Sequence, residues 1–332
     1  MALCDQLASA QNEREVRRDR LVAASMHRLN PPPDDEKANA PEALHEHARF
    51  TFNNLPRLTT RPAHIKQLRQ TILNLAVRGK LVEQDPNDEP ASELLKRIQV
   101  EKARLITERR VQRNKDVEYS SSIHEVFSPK EWCWVHIDDV ALIQGGKRLP
   151  AGATFSKEKT PYIYIRVTDM KDGTVRTDNP QYITSEVQKA IAQYTINKED
   201  LYITIAGTIG QIGRIPSSLD GQNLTENAAK IVFREVDPDF FVLALSSDAV
   251  QLQFRDKTKQ MAQPKLALKR IAGARFPLPP FAEQQRIVAK VCELMALCDQ
   301  LEAQLNTTET DSRRLLEAVL HDALAPAQEE AA

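Results

Sequence analysis

The sequence predicts an α+β protein, in which one mixed α/β body is flanked by long helices. Three observations predict it. The heptapeptide Met1-Ala2-Leu3-Cys4-Asp5-Gln6-Leu7 recurs as Met295-Ala296-Leu297-Cys298-Asp299-Gln300-Leu301. At the same offset of 294 residues, Asn12 meets Asn306, Glu15 meets Glu309, Arg20-Leu21 meets Arg314-Leu315, Ala24 meets Ala318 and His27 meets His321. Such identity at opposite ends of one chain implies a duplicated helical module around a different insert. Second, apolar residues recur at steps of three and four near both ends, the signature of helix packed on helix. Third, short runs rich in β-branched and aromatic residues are confined to the middle.

In chain order, residues 1–30 read as the first copy of the helix, with Leu3, Leu7, Leu21 and Leu29 as apolar points, ended by Pro31-Pro32-Pro33. Residues 31–62, polar and Pro-containing, read as a linker or loosely packed segment. A helical region follows over 63–127. Its stripe is Ile65, Leu68, Ile72, Leu75 and Val82, and Gly79 reads as a C-cap or turn. Beyond the turn Asp85-Pro86-Asn87-Asp88-Glu89-Pro90, Ser92 is expected to cap a helix with Leu94, Leu95, Ile98 and Leu105 on one face. From Lys96 to Lys115 stand eight Lys/Arg against two Glu. This run reads either as a solvated face or as contact with nucleic acid or an acidic partner.

Residues 128–277 form the mixed body. Strands are expected at Tyr162–Val167, Leu201–Ala206, Gln211–Ile215 and Lys230–Phe233, and short helices at 185–192 and 238–254. Pro280 and Glu283 then open a long helix over 278–325, with Ile287, Val291, Leu294, Leu297, Leu301, Leu315 and Val319 on its seam. About 40 residues span roughly 60 Å, the dimension of a spacer. Residues 326–332 read as a disordered tail.

The net charge of −1 gives no global basic signature, so nucleic-acid binding would have to rest on a local patch. Cys4, Cys133, Cys292 and Cys298 form no CxxC pair, which suits a reducing cytoplasm. No secretory segment and no apolar run long enough to span a membrane is evident. The seven histidines show no HExxH spacing, and no metal site, Ser-His-Asp pattern or nucleophile elbow appears. The stretch Gly207-Thr208-Ile209-Gly210-Gln211-Ile212-Gly213 lacks the spacing of a phosphate loop and precedes a strand. It reads as a turn that another backbone or a ligand approaches closely. Pro279-Pro280-Phe281 resembles part of the motif of amino-group DNA methyltransferases, but Leu278 stands where a polar residue is needed, so methyl transfer by this chain is not expected.

What remains is a set of polar loop residues: Lys147, Arg148, Arg166, Thr168, Lys171, Thr208, Gln211, Asn223, Thr225, Asn227 and Lys230. Arginine matches guanine edges, Asn and Gln match adenine, and Lys, Ser and Thr serve phosphates. Each is also compatible with an ordinary solvated loop.

Pro279-Pro280-Phe281-Ala282-Glu283-Gln284-Gln285-Arg286, followed by Leu294 to Leu301, resembles the conserved helical region of specificity subunits of type I restriction-modification enzymes. Leu68 to Val82 and Asp85 to Ser92 resemble the segment that follows it, and Trp132 to Phe276 resembles a target-recognition domain. The resemblance implies a non-catalytic subunit that reads double-stranded DNA, with helices forming an antiparallel coiled-coil spacer. The implied partners are a modification (methyltransferase) subunit and a restriction subunit, on which S-adenosylmethionine, ATP and Mg are expected. No cofactor is expected on this chain. Such subunits carry two recognition domains; this chain resembles the C-terminal half of one, beginning at an internal Met. A homodimer would restore two domains, with Leu3, Leu7, Leu68, Ile72, Leu75, Leu294, Leu297, Leu301 and Leu315 expected on partner or dimer helices. The rival expectation is an assembly-only fragment that binds the modification subunit without reading sequence.

Overall fold

A computed structural model describes residues 2–32, 35–108, 112–120, 129–255 and 265–324. The expected tail at 326–332 lies outside the described residues. The chain divides into two compact units, Met1–Ile72 with Val291–Ala332, and Leu73–Lys290.

The first unit is helical. It contains α1 (Ala2–Leu29), α2 (Glu36–Asn39), α3 (Pro41–Asn53), α4 (Leu55–Leu58), most of α5 (Pro62–Ala76) and the later part of α12 (Phe281–Leu324). Val22, Met26 and Leu29 form the buried stripe of α1, which packs against α3 and α4. Residues 31–62, expected as a linker, are therefore mostly helical. Pro41 and Pro56 fall at the first helical positions, where a missing N–H is no loss, so these prolines start helices. Ion pairs fix α5 at its start and at its middle. Asp19 of α1 accepts from Arg61 and, at 2.8 Å, from His64 Nε2, while the Thr60 N–H donates to His64 Nδ1 at 3.3 Å. These two bonds assign the His64 tautomer. Bonds from Arg61 and then His64 hold the Asp19 carboxyl below its usual range. Further along, Arg69 donates to Asp299 at 2.6 Å and Glu302 at 2.9 Å on α12.

Helix α5 stops at Ala76, so Val82 of the expected stripe lies beyond it. Gly79 takes φ +65°, with Lys80 N–H donating to Leu75 O and Gly79 N–H to Ala76 O. This is the Schellman closure that only glycine reaches without strain.

The second unit opens with α6 (Ala91–Thr107), whose Leu94, Ile98 and Leu105 are buried and Leu95 half-buried. Ser92 is not its cap. The helix starts one residue earlier, where the Ala91 N–H donates to Glu131 O at 3.1 Å. Next come β1 (Cys133–His136), α7 (Ile137–Val140), β2 (Ala141–Gly145), β3 (Tyr164–Ile165), β4 (Met170–Lys171), β5 (Thr174–Val175), α8 (Ser185–Ala190), β6 (Thr195–Ile196), β7 (Leu201–Thr204) and β8 (Ile212–Arg214). Then follow β9 (Gln222–Leu224), β10 (Ala228–Phe233), α9 (Pro238–Ser246), α10 (Asp248–Arg255), α11 (Leu268–Gly273) and β11 (Arg275–Leu278).

The main sheet is antiparallel, in the order β2-β10-β7-β8; a second runs β3-β9-β6, and β1-β11 and β4-β5 are separate pairs. Period-two alternation gives the main sheet two faces. On one, Leu142 and Val232 pack with Leu105 of α6, and Tyr202 and Ala228 join a core with Ile165, Met170, Ile196 and Leu224. The other carries Phe233, edge-on to Phe241 of α9 at 5.1 Å. Gly213 is required by a close approach: a Cβ there would lie 2.2 Å from Gly173 O, which accepts from the Arg214 N–H.

The start of α12 is fastened into this unit. Glu283 Oε2 accepts from Trp132 Nε1 at 2.9 Å and Oε1 from Gln84 Nε2 at 2.6 Å. Gln284 accepts from the Asp237 N–H and donates to Pro279 O, and Arg286 pairs with Asp88. The polar letters of the Ala282-Glu283-Gln284-Gln285-Arg286 stretch thus join four separate segments of one unit.

Candidate nucleic-acid interface

Strand register brings several loops to one end of the main sheet. Gly145 of β2 lies beside Ala229, Ala228 beside Thr204, and Ile203 beside Ile212. The chain after β2, the β7–β8 loop and the chain before β10 therefore emerge together. Backbone bonds tie this rim. Gly146 N–H donates to Ala228 O, Lys147 N–H to Leu224 O, Ile205 N–H to Asn227 O and Thr225 N–H to Ile165 O. Val167 approaches Gly207, which adds the 166–168 turn.

Of the residues singled out in the sequence, Lys147, Arg148, Thr168, Thr208, Gln211 and Asn227 are exposed on these loops. Lys147 Nζ stands 5.5 Å over the Tyr194 ring, and Arg148 donates to Glu226 at 2.8 Å. Burial pulls the Glu226 carboxyl upward, but bonds from Arg148, its own N–H and Tyr164 outweigh it and hold it low. The β7–β8 loop folds on itself: Thr204 Oγ1 donates to Thr208 O and accepts from the Gln211 N–H.

The others are placed differently. Arg166 makes a two-bond clamp on Asp169, at 3.0 and 2.6 Å, and also donates to Asn179 O, so its guanidinium is committed inside the chain. Asn223 is 2% exposed and donates to Ile191 O. Thr225 is buried, its hydroxyl 3.3 Å from Glu226. Both fall on or beside β9, whose two-sided pairing takes their side chains inward. Lys171 is exposed on the β4–β5 hairpin, whose turn at Asp172-Gly173 rests against β8. Lys230 is half-buried one step from the rim and donates to Thr195 O at 2.7 Å.

Sequence reasoning missed Lys265, exposed and brought to the rim by a bridge to Ala206, and Tyr194 beneath Lys147. Neither carries a local signal, because each arrives through pairing across a long stretch of chain. No group of three or more His, Cys, Asp or Glu among the described residues is placed to share a metal ion.

On the expected partner helices, Leu68 and Ile72 are buried, Leu75, Leu294 and Leu301 half-buried, and Leu7, Leu297 and Leu315 exposed. The Leu3 side chain lies outside the described residues. No described helix is long and apolar enough to cross a membrane.

The chain is 28% identical over 334 residues to the specificity subunit of the type I restriction enzyme EcoAI of Escherichia coli, covering 98% of this chain and 54% of that one. It is 27% identical over 337 residues to the EcoEI specificity subunit of Escherichia coli, covering 98% and 55%. The chain thus spans about half the length of the curated relatives it matches. A chain in a solved structure concerning complex assembly of the type I R-M system superposes with a TM-score of 0.50 at 18% identity, covering 79% of this chain and 57% of that one, and supports the fold. The family model for the type I restriction modification DNA specificity domain matches residues 129–308, which hold the whole rim and the start of α12. The chain belongs to the family of type I restriction modification DNA specificity domains.

Proposed function

We propose that this chain is the DNA-reading, non-catalytic component of a type I restriction-modification system. Its one α/β body reads one half of a bipartite site in double-stranded DNA, and its helices dock the modification subunit. The observation that carries the reading is the rim. Six exposed cationic, amide and hydroxyl side chains stand at one sheet end: Lys147, Arg148, Thr208, Gln211 and Asn227 on loops that register gathers, and Thr168 on the turn that meets Gly207. Their chemistry suits base edges and phosphates. S-adenosylmethionine, ATP and Mg belong to the modification and restriction subunits, and the complex works in the cytoplasm.

A homodimer completes the reading, since two copies would present two bodies to a symmetric split site. Apolar side chains left wet along α12 support it, among them Leu297, Leu315 and Val319. Selection from a random duplex library, with the full chain alone and with its modification subunit, tests the first part. Enrichment of a defined sequence is expected, split where two bodies act together and a half-site where one acts alone. Binding that depends on salt but enriches nothing would establish the assembly-only alternative. Light scattering tests the second part, and a monomer at micromolar concentration removes the homodimer.

A further inference from the structure

The basic run from Lys96 to Lys115 is divided by the structure. Lys96, Arg97, Lys102 and Arg104 pair with Glu93, Glu89, Asp138 and Glu101. Arg109 and Arg110 lie outside the described residues. Arg113 and Lys115 stay exposed on the segment after α6, and no carboxylate among the described residues pairs with them.

That segment is pinned in place. Asn114 Nδ2 donates to the Asp138 carboxylate at 2.6 Å and to Ala141 O at 3.3 Å, and its Oδ1 accepts from the Ile143 N–H at 2.8 Å. Farther on, Glu118 N–H donates to Lys269 O and Ser120 N–H to Gly273 O. A cleft of about 760 Å³ lies between this segment, the 193–197 loop and the start of α11. Alternation along β2 and β10 builds its floor. Leu142 and Val232 lie under Leu105, and two residues nearer the rim the same face carries Gln144 and Lys230. Arg113, Lys115, Lys230 and Lys269 line the cleft, and no Asp or Glu does so among the described residues. Lys269 pairs with Glu118 at 2.6 Å, and the buried Asp200 acts on Lys230 from behind the lining. A concave surface of one charge sign focuses its field on an anion. Tyr194 belongs to the same lining and carries Lys147 over its ring, so the cleft opens onto the rim.

We propose that this cleft holds the phosphodiester backbone of the duplex whose bases are read at the rim, with Arg113 and Lys115 as outer phosphate contacts and Lys230 as the inner one. The assignment rests on the DNA-reading function and divides its labour: the cleft fixes position, the rim fixes sequence. Burial holds the Lys230 ammonium below the ordinary lysine range against the partial opposition of Asp200, and a phosphate at the cleft would stabilise its charged form.

The test uses the full chain and the double variant Arg113→Gln/Lys115→Gln. Fluorescence anisotropy is read over a salt series on the selected duplex, on a scrambled duplex and on a polyglutamate peptide. The variant is expected to bind both duplexes more weakly by one common factor. Its log K against log salt should be shallower by roughly 1.8, at about 0.9 for each phosphate contact. The preference for the selected duplex should not change. An unchanged slope overturns the cleft while leaving the DNA reading intact. An altered preference overturns it by making these residues base readers. Lost peptide binding with DNA binding retained overturns it in favour of an acidic protein partner. A wild-type chain that binds no duplex removes the DNA reading itself, and this assignment with it.

Discussion

Glu283 combines burial with a carboxylate's usual need for water. It is 1% exposed, and burial outweighs the bonds from Trp132 and Gln84, so its pKa lies above the ordinary glutamate value. The folded chain therefore holds this proton more tightly than the unfolded chain. The stabilisation is fully present below the unfolded pKa and is lost as pH rises through the folded one. Glu283→Gln keeps an acceptor for Trp132 and removes the charge. At about pH 7 it is expected to melt at or above the wild-type temperature, with the advantage shrinking toward about pH 5. Thermal melts at both pH values check this, and a variant that melts below the wild type at about pH 7 would overturn it. Arg166 makes the opposite case. Removing it leaves Asp169, 13% exposed at the side chain, without its charged partner. Arg166→Ala is expected to cost about 1–3 kcal/mol in urea unfolding. Asn227→Ala and Gln211→Ala, at exposed positions, should stay within about 0.5 kcal/mol and alter DNA preference instead. Composition could nominate all these polar residues but could not sort them. Asn223 and Asn227 look alike in sequence, and only the pairing of β9 on both edges takes the first inward.

At the scale of elements, the repeat allows a comparison within one molecule. At the 294-residue offset, Val22 and Met26 of α1 correspond to Leu316 and Leu320 of α12. Val22 and Met26 are 0% and 6% exposed, whereas Leu316 and Leu320 are 59% and 50% exposed. The same helical face is covered in one copy and wet in the other. Met26→Ala is therefore expected to destabilise by about 2–5 kcal/mol. Leu320→Ala should change monomer stability by less than about 0.5 kcal/mol. Leu316→Lys/Leu320→Lys should leave far-UV circular dichroism intact and weaken self-association in sedimentation; unchanged association would clear this face of the dimer. Both long helices and the Gly79 stop were legible, because periodicity and glycine act locally. The helices over 31–62 were not, since proline at a first helical position and proline as a breaker look the same until the flanking turns are known.

For the whole molecule, both tryptophans, Trp132 and Trp134, lie in the Leu73–Lys290 unit, so their fluorescence reports that unit alone. The other unit is helical, and circular dichroism at the helix band samples both. Urea unfolding followed by the two signals is expected to give non-coincident transitions, and superimposable curves would show that the units unfold as one. The α+β class and the alternation of helical and mixed segments could be read from the sequence. The rim could not, because register between strands far apart in the chain assembles it.

The pairing of β1 with β11 has a consequence for inheritance. Cys133 stands beside Leu278 and His136 beside Arg275, so the body begins and ends on two neighbouring strands. A foreign body closed by the same pair of strands can be spliced in at one doorway, without new geometry elsewhere. Under the proposed DNA-reading function, a single recombination of that cassette would change the DNA vocabulary while the helical segments stayed as they were.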